Sequence, residues 1–589
     1  MNSIGVNGIG SMLGIVWRVA IPYFRSEDKW AGRGLLAAVI AIELGTVGIN
    51  VLVNQWNSRF YNALQERNWD NFVGELIYFC GLAAIYVALV VYQLYLNQWL
   101  QIRWRRWLTS HYLGEWLDGA NHYRMQLLGD AADNPDQRMT DDVKLFVEAT
   151  LTLGVGLLSA IVTLGSFVII LWGLSAEAPL HLFGEDFAIP GYLVWGALIY
   201  AVIGTALTHL IGWPLARLNF QQQAYEADFR FNLVRVRENS EQIALLKGEA
   251  TERDRLLGRF ASVVENWLQI MKRTKKVTAF TASYSQASVV FPFILVAPAY
   301  FANKVQLGGL MQTANAFGKV QEALSFFVSA YRALAEWRAV VARLDGFEAA
   351  IAGAQALAAS ADTIHATTDG AQPDVALKDL MVNLPSGQPL VSAADLHIRA
   401  GERVLITGPS GAGKSTLFRA IAGVWPFGRG SIIIPARARL MVLPQRPYFP
   451  VGSLRTVIAY PTAADGFSTA QLTDAIAAVG LPALVERLDE EAHWNRMLSL
   501  GEQQRLGIAR ALLAAPDYLF LDEATASLDE AAEAALYRLL QDRLPRTTVV
   551  SIGHRSTLSA FHQRGVTLAR HAGGFALTEA GVDAKAQAN

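Results

Sequence analysis

The sequence predicts an α-helical transmembrane domain of six spans fused to an α/β P-loop domain, and three observations carry that prediction. The 589 residues are 52% hydrophobic and only 17% charged, with a mean hydropathy of +0.25, against about 25% charge in ordinary soluble proteins. Long stretches without Asp, Glu, Lys or Arg recur through residues 1–345 and then cease. Near residue 400 an apolar strand-like run passes through a glycine turn into a helix-like run beginning at Lys414 and Ser415. A chain of this length exceeds a single core, so separate domains are expected.

Composition also excludes. A formal net charge of −1 offers no basic excess for a phosphate backbone, so no nucleic-acid partner is expected. The single cysteine, Cys80, rules out a disulfide framework within the chain and reads as a core filler. The first residues lack the short apolar core and small-residue site of a cleavable signal, so the membrane anchor is expected within the mature protein.

A span needs about 20 apolar residues. Segments 76–96, 149–174, 191–215 and 277–303 contain no formal charge. Residues 35–53 qualify apart from Glu43 and Asn50, and a sixth segment, 307–341, starts at Leu307. The predicted spans are thus about 35–53, 72–96, 149–174, 191–215, 277–303 and 307–341. Lys and Arg set their orientation. Residues 175–190 carry neither, whereas Arg103, Arg105 and Arg106 follow the second span and a dense basic series from Arg217 to Lys276 separates the fourth from the fifth. Both termini are therefore expected on the cytoplasmic side. The connections 97–148 and 216–276 have a helical pattern, so spans two to five should run well beyond the bilayer.

Charges inside spans are costly and usually face a wet cavity or a partner. Lys319 and Glu322 share one side of the sixth span, and Glu43 lies in the first. They are candidates for a transport path; the alternative is a locally paired charge.

Residues 346–373, rich in Ala, Thr, Asp and Gly, read as a linker, followed by an ATPase-like domain over 374–575 and a tail over 576–589. Gly408, Pro409, Ser410, Gly411, Ala412, Gly413, Lys414 and Ser415 fit G-x-x-x-x-G-K-[ST] in its strand–loop–helix context, with Thr416 next in the helix. Glycines let backbone N–H groups curl around phosphate at a helix N-terminus. Lys414 would reach the β and γ phosphates of ATP and Ser415 would ligate Mg²⁺. In YLFLDEATASLD, Asp522 ends a strand where a carboxylate suits the metal, and Glu523 beside it suits a general base. His554 and Gln445 end two further strand-like runs; His554 is expected at the γ-phosphate, and Gln445 at Mg²⁺ and the attacking water.

In this order the domain resembles the nucleotide-binding domain of ABC transporters, with LSLGEQQ at Leu498 in the place of the family's LSGGQ signature. PQRPYFPVGSLR followed by Tyr460 and Pro461 is similar to the ABCD branch. The segments NQWNSRFYNALQERNW, IRWRRWLTSHYLGEWL, NPDQRMTDDV and EADFRFNLVRVRENSEQIAL resemble the BacA/SbmA-type peptide-uptake family in its versions with a fused ATPase. The resemblance covers nearly the whole chain. It implies an exporter-like type IV half-transporter of the inner membrane that works as a homodimer and imports peptides or other bulky hydrophilic solutes. It also implies that Ser499, Gly501 and Glu502 of the signature and Asp529 of the D-loop contact nucleotide held between two chains. Motion would reach the spans through the turns near 134–143 and 226–241, where Glu226, Arg230 and Glu238 stand. Two features depart from the family pattern: Leu500 and Glu502 replace Gly and Gln, and Leu384 stands where an aromatic usually stacks on adenine. Rival readings are export of a hydrophobic or lipidic compound, carriage of acyl-CoA-like substrates, and an ATP-gated channel or regulatory membrane protein.

Overall fold

The computed structural model describes residues 9–129, 134–177, 180–182, 185–187, 189–360, 363–369, 373–553, 555–571 and 573–580. The chain divides into two compact units, one formed by Met1–Tyr112 with Asp136–Asp345 and the other by Leu113–Pro135 with Gly346–Asn589.

The first unit is built of long helices: α1 (Ile9–Arg25), α2 (Lys29–Gln65), α3 (Trp69–Leu117) up to Tyr112, α5 (Val143–Glu177), α6 (Tyr192–Glu238), the short α7 (Ser240–Leu245), α8 (Glu249–Phe301) and α9 (Leu307–Ala359) up to Asp345. Helix α4 (Asn121–Leu127) belongs to the second unit. Among the described residues five helical segments are long and apolar enough to cross a membrane, carrying the first five expected spans. The sixth expected span lies in α9, which is not among them. Its membrane-length half carries Gln312, Asn315, Lys319, Gln321 and Glu322, and these polar side chains lower its hydropathy. As the basic connections suggested, the helices run far past a bilayer: the 47 residues of α6 and the 53 of α8 correspond to ~70 and ~80 Å, against a hydrocarbon core of about 30 Å.

Lipid is as apolar as leucine, so helices in a bilayer associate through close packing and polar pairs. The antiparallel pair α6 and α8 is laced along its length in this way. Tyr200 Oη donates to the Tyr284 carbonyl at 2.6 Å and Tyr284 Oη donates back to the Tyr200 carbonyl at 2.9 Å. Gly204 makes room for that contact, since a Cβ there would lie 2.2 Å from the Tyr284 ring. Farther along, Asn266 Nδ2 donates to Gln222 Oε1 and to the Leu218 carbonyl, both at 2.9 Å, and Arg259 pairs with Asp228 at 2.7 Å.

Helix α9 is fixed to α2 by the same means. Fully buried Asn54 donates to the Gln312 carbonyl at 3.0 Å and to Asn315 Oδ1 at 3.1 Å. The first N–H groups of α9, which have no partner within the helix, are met by Gln65 Oε1 and Asn62 Oδ1 of α2. At the other end Asp142 is buried and accepts from Arg138 at 2.6 Å and from Arg343 Nε of α9 at 2.9 Å. Cys80 is exposed on α3, against the expectation of a core filler. A helix that faces lipid turns its apolar side chains outward, so an apolar neighbourhood in sequence does not imply a buried one.

In the second unit a 10-stranded sheet has the order β1-β5-β2-β3-β10-β9-β4-β8-β7-β6. Its strands are β1 (His365–Asp369), β2 (Val375–Asn383), β3 (Pro389–Ile398), β4 (Arg403–Thr407), β5 (Gly428–Pro435), β6 (Leu440–Leu443), β7 (Tyr518–Asp522), β8 (Thr548–Ile552), β9 (Arg564–His571) and β10 (Gly574–Ala580). Strands β4, β8, β7 and β6 run parallel, covered by helices that include α10 (Lys414–Ile421), α11 (Leu500–Ala514) and α12 (Glu530–Arg543). Alternation along each strand feeds two cores. Tyr518 and Phe520 of β7 join Val550 and Val404 on one face, with Leu127 of α4 packed against that cluster, while Leu519, Leu521, Val549 and Leu405 join the other.

Asp142→Ala should lower stability by about 3 kcal/mol or more, because a guanidinium is left buried without its counter-charge. The thermal unfolding midpoint of the detergent-purified protein checks this; an unchanged midpoint would contradict it.

Candidate active site at the carboxyl ends of the parallel strands

Ligands of open parallel sheets bind beyond the carboxyl ends of the strands. The register sets these ends side by side: Asp522 lies opposite Ile552, Ile552 opposite Ile406, and Leu521 opposite Leu443. Three of these strands therefore hand a candidate residue to one shared edge. The glycine loop follows β4, Gln445 follows β6, Asp522 and Glu523 close β7, and His554, beyond β8, lies outside the described residues.

The glycine loop is positioned by backbone geometry only glycine adopts easily. Gly408, Gly411 and Gly413 have φ of 151°, 78° and 87°. A Cβ at Gly413 would also meet Leu390 and Val391 of β3 at 2.7 Å. Gly413 opens α10, so the first N–H groups of that helix face the loop. Ala412 is buried beneath the loop, Pro409 closes a turn with it through Ala412 N–H, Ser410 is exposed, and Thr416 sits in the first turn of α10.

Lys414 folds back over the loop, its Nζ donating to the carbonyls of Gly408 and Pro409 at 2.8 Å each. Burial pushes its ammonium pKa down, opposed by the carboxylates of Glu523 and Asp522. Ser415 Oγ donates to Asp522 Oδ1 at 2.8 Å. Burial pushes the Asp522 carboxyl pKa up, against the hydrogen bond from Ser415. Both shifts have one cause: the edge is poorly solvated, so its charges are stabilised chiefly by one another. A hydroxyl and a half-buried carboxylate in contact, beside a glycine loop, form a donor set that fits Mg²⁺. Gln445 Nε2 donates to Glu523 Oε2 at 3.2 Å, so the candidate base and the candidate water-orienting amide touch. Glu523 has φ of 50°, a left-handed conformation uncommon for a side chain with a Cβ.

The LSLGEQQ stretch forms the start of α11. Ser499 is its N-cap in a capping box with Glu502: Ser499 Oγ and N–H donate to Glu502 Oε2 at 2.7 and 2.8 Å, which pushes the Glu502 carboxyl pKa down. Gly501 lies against the D-loop, where a Cβ would stand 3.2 Å from Leu528. Leu500, the departure from a glycine pair, is the first residue of the helix and half-buried. Asp529 is the N-cap of α12, accepting from Ala532 N–H at 2.7 Å. Leu384 sits in the turn after β2, its N–H bonded to the Gln388 carbonyl. In the membrane unit, Glu43 accepts from Gln93 of α3, and Lys319 pairs with Glu322 at 3.0 Å.

Sequence reading missed one residue of this edge. Gln504 is buried, and its amide joins the loop of Gln445 to the turn after Glu523. Gln504 ends the LSLGEQQ stretch, but the stretch alone does not show what its amide holds, because its partners are 59 and 23 residues away.

A phosphate loop, a Ser–Asp pair and a carboxylate–amide pair at one sheet edge define an ATP-hydrolysing domain, here fused to membrane helices. Comparison with known proteins gives the family. Residues 19–301 match the ABC transporter transmembrane region 2 and residues 391–526 match the ABC transporter domain. The chain is 39% identical to an uncharacterized ABC transporter ATP-binding protein of Haemophilus influenzae, over 94% of this chain and 91% of that one. It is 33% identical to the inner membrane ABC transporter ATP-binding protein YddA of Escherichia coli, over 91% and 93%. It is 25% identical to the mouse lysosomal cobalamin transporter ABCD4, over 95% and 94%. The fold matches that of a bacterial Atm1-family ABC exporter solved with ATP bound, with a TM-score of 0.68 at 18% identity over 92% of this chain and 94% of that one. The chain belongs to the ABC transporters, as a half-transporter with fused transmembrane and ATPase domains and with homologues in the ABCD family; it is an ATP-hydrolysing transporter.

Lys414→Ala should weaken ATP binding by about 100-fold or more, because a buried charge-assisted contact to phosphate is lost. Titration with a fluorescent ATP analogue checks it; binding within a few-fold of the unsubstituted protein would exclude the phosphate role.

Proposed function

We propose that two copies of this chain form an importer of peptides or other bulky hydrophilic solutes in the bacterial inner membrane, with both termini cytoplasmic. The observation that carries the substrate class is the polar stripe on α9. Gln312, Asn315, Lys319 and Glu322 are spaced three, four and three residues apart, hence on one helix face. Asn54 binds the first two, and Glu322 at the other end is 72% exposed within one chain. A membrane segment bearing such a stripe suits a wet path better than a lipid-lined one. The cobalamin transporter among the relatives handles a bulky polar solute, and the inner-membrane relative supports the location. Of the alternatives, export of a hydrophobic or lipidic compound has the fold of the Atm1-family exporter in its favour, and carriage of acyl-CoA-like substrates has the ABCD-family relatives.

The edge geometry supports the following ATP cycle. Lys414 exchanges the carbonyls of Gly408 and Pro409 for the β and γ phosphates, and the loop N–H groups take the remaining phosphate oxygens. Ser415 and Asp522, with Gln445, would hold Mg²⁺, and the ion would supply positive charge to the triphosphate. Glu523 accepts a proton from the attacking water while Gln445 and His554 fix that water and the γ-phosphate. Gly501 of the second copy closes the site with a backbone N–H at a helix N-terminus, beside the Ser499 hydroxyl, with its Glu502 and Asp529 at the nucleotide. Most of the acceleration comes from positioning and fixed dipoles.

Glu523→Gln should leave ATP binding intact and reduce turnover by about 100-fold or more; undiminished phosphate release would remove Glu523 from the base role. Import predicts that cells lacking the protein resist a toxic peptide which the protein carries, whereas greater sensitivity would mean export. Lys319→Ala should reduce uptake at unchanged protein level, and normal uptake would take the α9 stripe out of the path.

A further inference from the structure

The side chain of Gln504 lies on α11, five residues beyond Ser499, and is 1% exposed. Nε2 donates to the Gln445 carbonyl at 3.0 Å and, at a longer 3.5 Å, toward the Glu523 carbonyl. Oε1 accepts the Ser527 N–H of the D-loop at 3.0 Å. A primary amide offers two N–H donors and an acceptor in one plane, and here all three are directed at backbone groups. No other polar side chain of similar length combines them: glutamate has no donor, lysine no acceptor.

Two of these backbone groups belong to Gln445 and Glu523, the residues proposed above to orient and deprotonate the attacking water. The Gln445 carbonyl belongs to the residue whose side chain touches Glu523. The Glu523 carbonyl also accepts the Ala526 N–H at 3.1 Å, and Glu523 is held at a positive φ that needs support from its surroundings. Ser527 lies directly before Leu528, the residue packed on Gly501. One amide thus fixes, from the helix that begins with the signature, the loop of the water-orienting residue and the turn after the base.

We propose that Gln504 is a positioning residue for ATP hydrolysis: it ties the signature helix of a chain to the Gln445 and Glu523 of that same chain, so engagement of the signature by nucleotide on the second copy is felt at the base. The inference rests on the role proposed above for Glu523. Buried polar networks transmit position because a partly satisfied one is costly, and Gln504 contacts neither the glycine loop nor the Ser415–Asp522 pair. Its loss should therefore reach turnover and spare nucleotide binding.

The test uses the full-length protein in liposomes. Gln504→Met keeps the size and burial of the side chain and deletes its three hydrogen bonds; Gln504→Glu keeps the acceptor and deletes the donors. Both should lower kcat for ATP about tenfold or more while the midpoint of fluorescent ATP-analogue binding stays within about twofold. Turnover by Gln504→Met equal to that of the unsubstituted protein overturns the inference. So does parallel loss of binding and turnover, or failure of both variants to fold, since either marks a purely structural residue. Glu523→Gln, run alongside, separates the two readings: if it hydrolyses ATP normally, the base assignment fails first, and if it is inactive while Gln504→Met is not, only the positioning role fails.

Discussion

Parallel pairing of β4, β8, β7 and β6 in one register is the constraint on which the ATPase half depends. Parallel strands start and stop together only if each is buried on both faces, and the two apolar clusters on either side of the sheet supply that burial. With the register fixed, the chain leaves four neighbouring strands at nearly one level. Residues far apart in sequence then need no long side chain to meet: Ser415 reaches Asp522, and Gln445 reaches Glu523, across gaps of 107 and 78 residues. A slip of one residue in β7 would turn Asp522 to the other face of the sheet and break the first of these contacts.

The membrane half solves a different problem. Its helices gain little from hiding leucine in lipid, so specificity of pairing falls to the few positions where a glycine admits a ring or an amide finds a carbonyl. Gly204 with Tyr284, Asn266 with Gln222, and Asn54 with Gln312 and Asn315 mark out which helix lies beside which. The Asp142 cluster extends the same logic to the turn before α5, joining it to the lower part of α9. Polar residues that look expensive in a hydropathy profile are here the ones that specify helix neighbours.

How much of this was legible in the sequence depended on whether the information was local. The glycine loop was legible because positive φ and close approach demand glycine at fixed spacing, and the strand before it and helix after it are strongly patterned. The first five spans were legible because bilayer thickness sets a length that composition must meet. The sixth was harder, since α9 carries its polar stripe where an apolar run was expected. Cys80 was misread because burial cannot be inferred from apolar neighbours once the solvent is lipid. The amphipathic α1, with Tyr23 buried and Trp17 exposed, was not anticipated, being short and interrupted by Pro22. Gln504 and the approach of Gly501 to the D-loop were invisible for a third reason: their partners come from other strands and turns, and only the folded sheet brings them near.

The two bonds from Lys414 to the carbonyls of Gly408 and Pro409 bear on how the loop meets its first nucleotide. A glycine-rich segment left without a partner would sample many shapes, and binding would have to bear the entropy of selecting one. Here the ammonium holds two of the loop's carbonyls together and narrows the shapes the cradle can take. If Lys414 takes phosphate as proposed, arrival of a triphosphate is an exchange of acceptors, carbonyl oxygen for phosphate oxygen, within a narrowed set of shapes. Discrimination follows from that exchange. An incoming molecule must offer the lysine more negative charge than two peptide carbonyls do, so neutral groups of the same size gain nothing by displacing them.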